Sequence, residues 1–279
     1  MFPQLRCSAI TRIAFSTCSP NPLPVRLNQY LARAGFGSRR ACEALILEGS
    51  VTINGHRLRE LATRVNPDDN VLVNGKPVKQ PLSLVAILHK PVGYLCTSPD
   101  ATNEKTIYDL LPVGWPRVVY VGRLDKDSEG LLVVTNDGNL SQRLTHPTSK
   151  LRKTYIVTLD KEFDFALAPK LKKGFPIEEG FAKMEDVFRV GPRTYKVVLT
   201  QGLKRQIREM FYKFGYEVKR LVRVQIGALS LDKLPVGQHR VLSNEEVRRY
   251  FPAPGAQRPA KKTAPKMVRA KTSTEKPRG

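Results

Sequence analysis

The chain has 279 residues, 41% of them apolar, enough for one large domain or for a small and a medium one with packed cores. Its net charge of +22 favours a polyanionic partner, nucleic acid first and an anionic membrane surface second. No apolar run reaches the eighteen or so residues of a membrane span, and the four cysteines and four histidines lack the spacing of a zinc site.

Residues 1–25 contain Ser, Thr, Pro and two arginines but no acid; the first acidic residue is Glu43. This composition fits a disordered leader or an upstream start, with an organellar transit peptide as the sharper alternative. Few and scattered cysteines suit a reducing compartment, so a cytoplasmic protein is expected, or an organellar one if the leader is a transit peptide.

A compact module is expected over 26–78. Leu27, Tyr30, Leu31 and Ala34 recur at helical spacing before Gly35, and Ser38 can cap a second helix carrying Ala41, Leu45 and Ile46. Val51–Ile53 and Val71–Val73 each run into Asn-Gly, a strong hairpin signal. Arg33, Arg39 and Arg40 near the helix junction are candidate phosphate contacts. Lys79 to Ser83 reads as a linker, and a larger domain is expected over 84–251. Val85–Leu88 is a predicted strand, and Tyr94–Thr97 a second short one.

The centre of the chain is Gly-Arg-Leu-Asp-Lys-Asp-Ser-Glu-Gly at 122–130. It lies between two runs, Val118–Val121 and Leu131–Val134, expected as buried strands. Leu140–Leu144 fits a helix, Lys153–Leu159 a half-buried strand, and Phe163–Lys172 a helix interrupted at Pro169. Phe181–Val190 and Tyr195–Thr200 read as strands. Lys204–Phe214 is amphipathic, with Ile207, Met210, Phe211 and Phe214 on one stripe and Arg205, Arg208 and Tyr212 on its neighbour. Val218–Ile226 is a strand carrying Lys219, Arg220 and Arg223, and Ser243 opens a final capped helix. Residues 252–279 hold eight lysines and arginines against Glu275, the composition of a disordered basic tail. The expected class is α+β.

The loop carboxylates Asp125, Asp127 and Glu129 invite three chemistries. A calcium loop would need Glu at its twelfth position, where Asn136 stands, and helices rather than strands at its flanks. Metal-dependent phosphoryl transfer would need carboxylates from several strands. A single carboxylate attacking a nucleotide would need nearby cations, which 202–208 supplies, and an aromatic platform, which Tyr155 supplies. Ordinary strand packing for Tyr155 and a solvated helix face for Arg208 remain the plain alternatives.

The motifs at 122–132, Lys-Thr-Tyr at 153–155, Gln-Gly-Leu-Lys-Arg-Gln-Ile-Arg-Glu-Met at 201–210 and Leu-Val-Arg-Val-Gln-Ile-Gly at 221–227 resemble, in order, those of the RsuA-type pseudouridine synthases. The segments 26–31, 35–40 and 49–55 resemble the alpha-L RNA-binding domain found in a small-subunit ribosomal protein. The resemblance implies a mainly antiparallel catalytic domain that isomerises uridine in ribosomal RNA without cofactor or metal. It implies Asp125 as nucleophile or base, Arg123 in base flipping, Tyr155 stacking on the base, Arg208 pairing with the aspartate, and Leu221 as an apolar contact. Lys204 or Arg205 could fill the place of Arg208. With Arg33, Arg39, Arg40, Lys219, Arg220 and Arg223 they would supply RNA affinity. Asp127 and Glu129 would shape the loop or remain solvated. Details at 153–161 and 214–219 most resemble the RluF-like branch, implying 23S rRNA, with the 16S-directed branch as the alternative; a monomer is expected.

Overall fold

A computed structural model describes residues 24–252; the expected leader at 1–25 and basic tail at 252–279 lie almost wholly outside them. The first elements are β1 (Val25–Arg26), α1 (Leu27–Arg33), α2 (Arg39–Leu47), β2 (Val51–Ile53), β3 (His56–Leu58), β4 (Arg64–Val65), β5 (Val71–Val73) and β6 (Lys76–Pro77). Ser38 caps α2 by accepting from the Ala41 amide at 3.1 Å. Both Asn-Gly pairs turn with positive φ at both residues, 51° and 86° at 54–55 and 48° and 76° at 74–75. That is the backbone of a type I′ hairpin, which few other dipeptides adopt without strain. The four strands order β3-β2-β5-β6, and Leu27, Leu31, Ile46, Val51, Val71 and Val73 close a core of their own.

The second part contains β7 (Val85–Lys90), β8 (Val119–Val121), β9 (Glu129–Thr135), α3 (Gly138–Thr145), β10 (Lys153–Leu159), α4 (Ala168–Lys173), β11 (Phe175–Ile177) and β12 (Gly180–Ala182). It continues with β13 (Asp186–Gly191), β14 (Thr194–Leu199), α5 (Gln206–Tyr212), β15 (Val218–Ile226), β16 (Leu229–Ser230), β17 (His239–Val241) and α6 (Asn244–Tyr250). One nine-stranded sheet runs β13-β14-β10-β15-β9-β7-β17, with β8 on β9 and β16 on β15. Every pairing in it is antiparallel except β9 with β15. The class is α+β, as expected.

Strands β7 and β9 are apolar without alternation because both of their faces are covered. Ala86, Leu88, Leu132 and Val134 enter one core, and Val85, Ile87, Leu131 and Val133 enter the other. Burying each such leucine or valine contributes about 1.5–3 kcal/mol, which makes this pair the rigid base of the loop between β8 and β9.

Several expectations are corrected. Tyr94–Thr97 forms no strand, only a single bridge from Leu95 to Thr106, because Pro91 and Gly93 break the extended run. Pro169 does not interrupt a helix: it sits in the first turn of α4, where its missing N–H costs nothing. The run 181–190 divides between β12 and β13, which pair with different partners. In β8 only Val121 is buried, and Val119 is 40% exposed. Among the described residues no helix is long and apolar enough to cross a membrane.

Candidate active site

The loop 122–128 leaves β8 at Val121 and enters β9 at Glu129. Two buried cations fasten its main chain. Lys90, the last residue of β7, is fully buried, and its Nζ donates to the carbonyls of Pro91 (3.0 Å), Asp125 (3.0 Å) and Ser128 (2.7 Å). Burial pushes its ammonium below the usual lysine range, despite the opposing charges of Asp125 and Asp127. Arg223 on β15 is 2% exposed; its Nε donates to the Leu131 carbonyl at 2.7 Å and its Nη1 to the Arg123 carbonyl at 3.2 Å. It thus grips the chain on both sides of the loop. Arg223 lies beside Gly130 in the parallel pairing. Gly130 has φ +116°, and a Cβ there would stand 2.3 Å from the Arg223 carbonyl oxygen, so only glycine lets the strands approach.

The three loop carboxylates have separate fates. Asp127 is met by Arg205 Nη2 at 2.9 Å and by Arg208 Nε at 3.2 Å. Desolvation pushes its carboxyl up, but the Arg205 hydrogen bond and the charges of both arginines outweigh it and hold the group below the usual carboxylate range. Glu129 is not solvated: it is 9% exposed and pairs with Arg220 at 2.6 Å. Asp125 is half-buried, and among the described residues nothing donates to its carboxylate.

Asp125 lines a cleft of about 1240 Å³ together with Arg123, Tyr155 and Leu221. Tyr155 and Leu221 come from the paired strands β10 and β15, where Val157 faces Leu221. Tyr155 is 8% and Leu221 6% exposed, so they form the apolar floor, while Arg123 is open to solvent. Lys204, paired with Glu179 at 3.8 Å, and Arg205 stand on the rim. Arg205 enters α5 with φ 51°, a left-handed start that precedes the regular turns.

Two expectations change. Arg208 pairs with Asp127 rather than Asp125, and its other arms donate to the carbonyls of Val218 (2.7 Å) and Asp127 (2.8 Å). It lines a second hollow of about 310 Å³ behind the loop. Arg223 is interior and works on the main chain, so it does not belong with the solvent-facing RNA cations. Lys219 and Arg220 lie outside the cleft and pair with Glu217 and Glu129. Arg39 and Arg40 are exposed on α2, and Arg33 is half-buried at the end of α1. Sequence reasoning passed over Lys90 and Lys153. Lys153 stands inside the Lys-Thr-Tyr motif and Lys90 at the end of the predicted 85–88 strand run; the signal is a lysine terminating or opening an otherwise apolar strand.

Residues 84–213 match the family model described as RNA pseudouridylate synthase, and 25–71 match the S4 domain. An RNA pseudouridine synthase of Aquifex aeolicus is 41% identical over 241 residues, covering 84% of this chain and 96% of its own length. The dual-specificity RNA pseudouridine synthase RluF of Escherichia coli K12 is 38% identical over 231 residues, covering 81% of this chain and 78% of that one. A crystal structure of a pseudouridylate synthase superposes with a TM-score of 0.58 at 25% identity, covering 80% of this chain and 98% of the other. With a loop carboxylate presented in a cleft and an S4 domain preceding it in the sequence, this chain belongs to the RsuA-type RNA pseudouridine synthases, isomerases that act on RNA.

Proposed function

We propose that the chain converts a uridine of 23S ribosomal RNA to pseudouridine, acting as a monomer, with Asp125 as the reacting carboxylate. The observation that carries this is that, among the described residues, nothing donates to the Asp125 carboxylate, in a chain of net charge +22. Its loop neighbours Asp127 and Glu129 are each taken by arginine. A half-buried carboxylate left free among so many cations has a use other than loop shape.

In the reaction the bond from the sugar C1′ to N1 breaks, the uracil turns, and C1′ joins C5; the proton of C5 is lost and N1 gains one, so the product is an isomer. Asp125 acts as nucleophile or as base in breaking the glycosidic bond. Tyr155 supplies the stacking face for the uracil, and Leu221 packs beside it away from water. Arg123 enters the helix that the uridine leaves, a role its exposure at the cleft supports. Arg33, Arg39 and Arg40 carry the RNA-binding role of the S4 domain, with Lys204 and Arg205 at the rim. The 23S assignment rests on likeness to the RluF-like branch at 153–161 and 214–219. The dual specificity in the name of the E. coli relative makes a second RNA worth assaying.

The test is Asp125→Asn in the full chain, with rRNA from a deletion strain as substrate. Carbodiimide modification and primer extension should find no new pseudouridine, while filter binding retains RNA affinity. Full activity in that variant would sink the assignment, and a signal on 16S rather than 23S RNA would move the substrate.

A further inference from the structure

The floor of the cleft holds more positive charge than the proposed chemistry uses. Lys153 and Tyr155 alternate on one face of β10, and Arg223 is the cross-strand partner of Tyr155 on β15. All three line the cleft with Asp125. The Lys153 Nζ has one weak contact, 3.4 Å to the Gln201 carbonyl, well beyond the 2.7–2.9 Å or so of a charge-assisted bond. Arg223 spends Nε and Nη1 on carbonyls, while its Nη2 is buried with no acceptor among the described residues. Among the described residues neither cation forms an ion pair, whereas Lys183 meets Glu185, Lys204 meets Glu179 and Arg205 meets Asp127 on the same cleft.

Burial holds the Lys153 ammonium below the usual lysine range, and the Arg223 charge adds to the effect. Two neighbouring cations, desolvated and without a counter-charge, are unfavourable in the free protein. A docked anion reverses that sign. The anion an RNA brings is its phosphodiester, and two residues along a strand span about 6.6 Å, the scale of a single nucleotide.

We propose that Lys153, backed by the buried guanidinium of Arg223, binds the phosphodiester next to the target uridine and so anchors that nucleotide by its backbone while Tyr155 takes its base. The proposal rests on the functional reading above. It separates Lys153 from the rim cations: those steer any RNA, whereas Lys153 holds one phosphate in register with Asp125.

The experiment uses the full chain and a synthetic rRNA fragment centred on the uridine mapped by primer extension, labelled for fluorescence anisotropy. Lys153→Met should lower the slope of log K against log salt by about 0.7–0.9, the loss of one phosphate contact, while Lys153→Arg keeps the slope. A single neutral methylphosphonate, placed 5′ or 3′ of the uridine, should weaken wild-type binding about tenfold at one of the two positions. Lys153→Met should be indifferent to that substitution, because both changes remove the same contact. The phosphate site is overturned if wild-type binding ignores both methylphosphonates, a result that does not depend on whether the Met variant folds. It is also overturned if Lys153→Met weakens binding with the salt slope unchanged. A wild-type chain that forms no pseudouridine in rRNA overturns the functional reading, and this proposal with it; an active wild type with an unchanged slope overturns the phosphate site alone.

Discussion

Lys90→Met tests whether the loop is held by its main chain. The substitution keeps an unbranched apolar stem in a fully buried site and removes an ammonium that serves three carbonyls. The Asp125 carbonyl keeps a second donor, the Ser128 amide at 3.1 Å, so the Pro91 and Ser128 carbonyls carry most of the loss. A buried acceptor left unmade costs about 1–3 kcal/mol, giving about 2–6 kcal/mol for two. Relief of the ammonium's desolvation offsets part of this, since burial already disfavours the charge. A net loss of about 2–4 kcal/mol remains, and for a domain of this size each kcal/mol lowers Tm by about 2–4 °C. Circular dichroism should therefore find Tm lower by about 4–16 °C. Activity should fall further than stability explains: with the loop displaced by about 1 Å, kcat should drop on the order of a hundredfold at saturating RNA. Tritium release from 5-labelled uridine, run well below the variant's Tm, reads this directly. A Lys90→Met protein with wild-type Tm and kcat would refute the main-chain strut.

Two further outcomes follow from the same loop. Gly130→Ala places a Cβ 2.3 Å from the Arg223 carbonyl oxygen at φ +116°; backbone strain and overpacking together should destabilise the chain by about 2–6 kcal/mol in urea unfolding, and an unchanged midpoint would contradict the tight strand approach. Asp127 has a folded pKa below its unfolded one, so its contribution is present above the unfolded value of about 4 and is lost as pH falls through the lower folded value. The Tm difference between wild type and Asp127→Asn should therefore be constant near neutrality and close below about pH 4, a trend that differential scanning calorimetry can follow. The pair is 42% exposed on both sides, so the difference should stay under about 1 kcal/mol.

The hairpins were legible because Asn-Gly specifies its own turn, and the paired cores because β7 and β9 are apolar in unbroken runs. Burial of charge was not legible. Glu129 reads as loop because it is acidic, yet it opens β9, since Arg220, far along the chain, reaches it at 2.6 Å. Arg223 reads as an RNA contact because it lies among Lys219 and Arg220; the strand period turns it to the inner face, opposite Tyr155. The partner of Arg208 was assigned by motif order, and motif order says nothing about which of two aspartates two residues apart faces a helix. By residue type Asp125 is one of three loop carboxylates, and only the motif at 122–132 singles it out in the sequence; the physical counterpart, the pairing of the other two with arginines, exists only in three dimensions.

That pairing bears on how the carboxylate is presented. A reacting aspartate must be fixed in place and yet left open to substrate. A direct ion pair would achieve the first at the expense of the second. Here Lys90, Arg223 and Arg208 all hold carbonyls of the loop or its flanking strands, and Arg208 adds the Asp127 carboxylate. Arg208→Lys separates charge from geometry. Lysine keeps the positive charge but is a single point donor, and it has no fork to reach the Val218 and Asp127 carbonyls, 2.7 and 2.8 Å from Nη1 and Nη2. If Arg208 acts only through its charge, the variant retains activity. If it acts as a brace, kcat should fall about tenfold or more with RNA affinity unchanged, because Arg208 is 12% exposed and lines the hollow behind the loop rather than the cleft. Wild-type kcat in Arg208→Lys would return the arginine to a purely electrostatic role and leave Lys90 and Arg223 as the loop's supports.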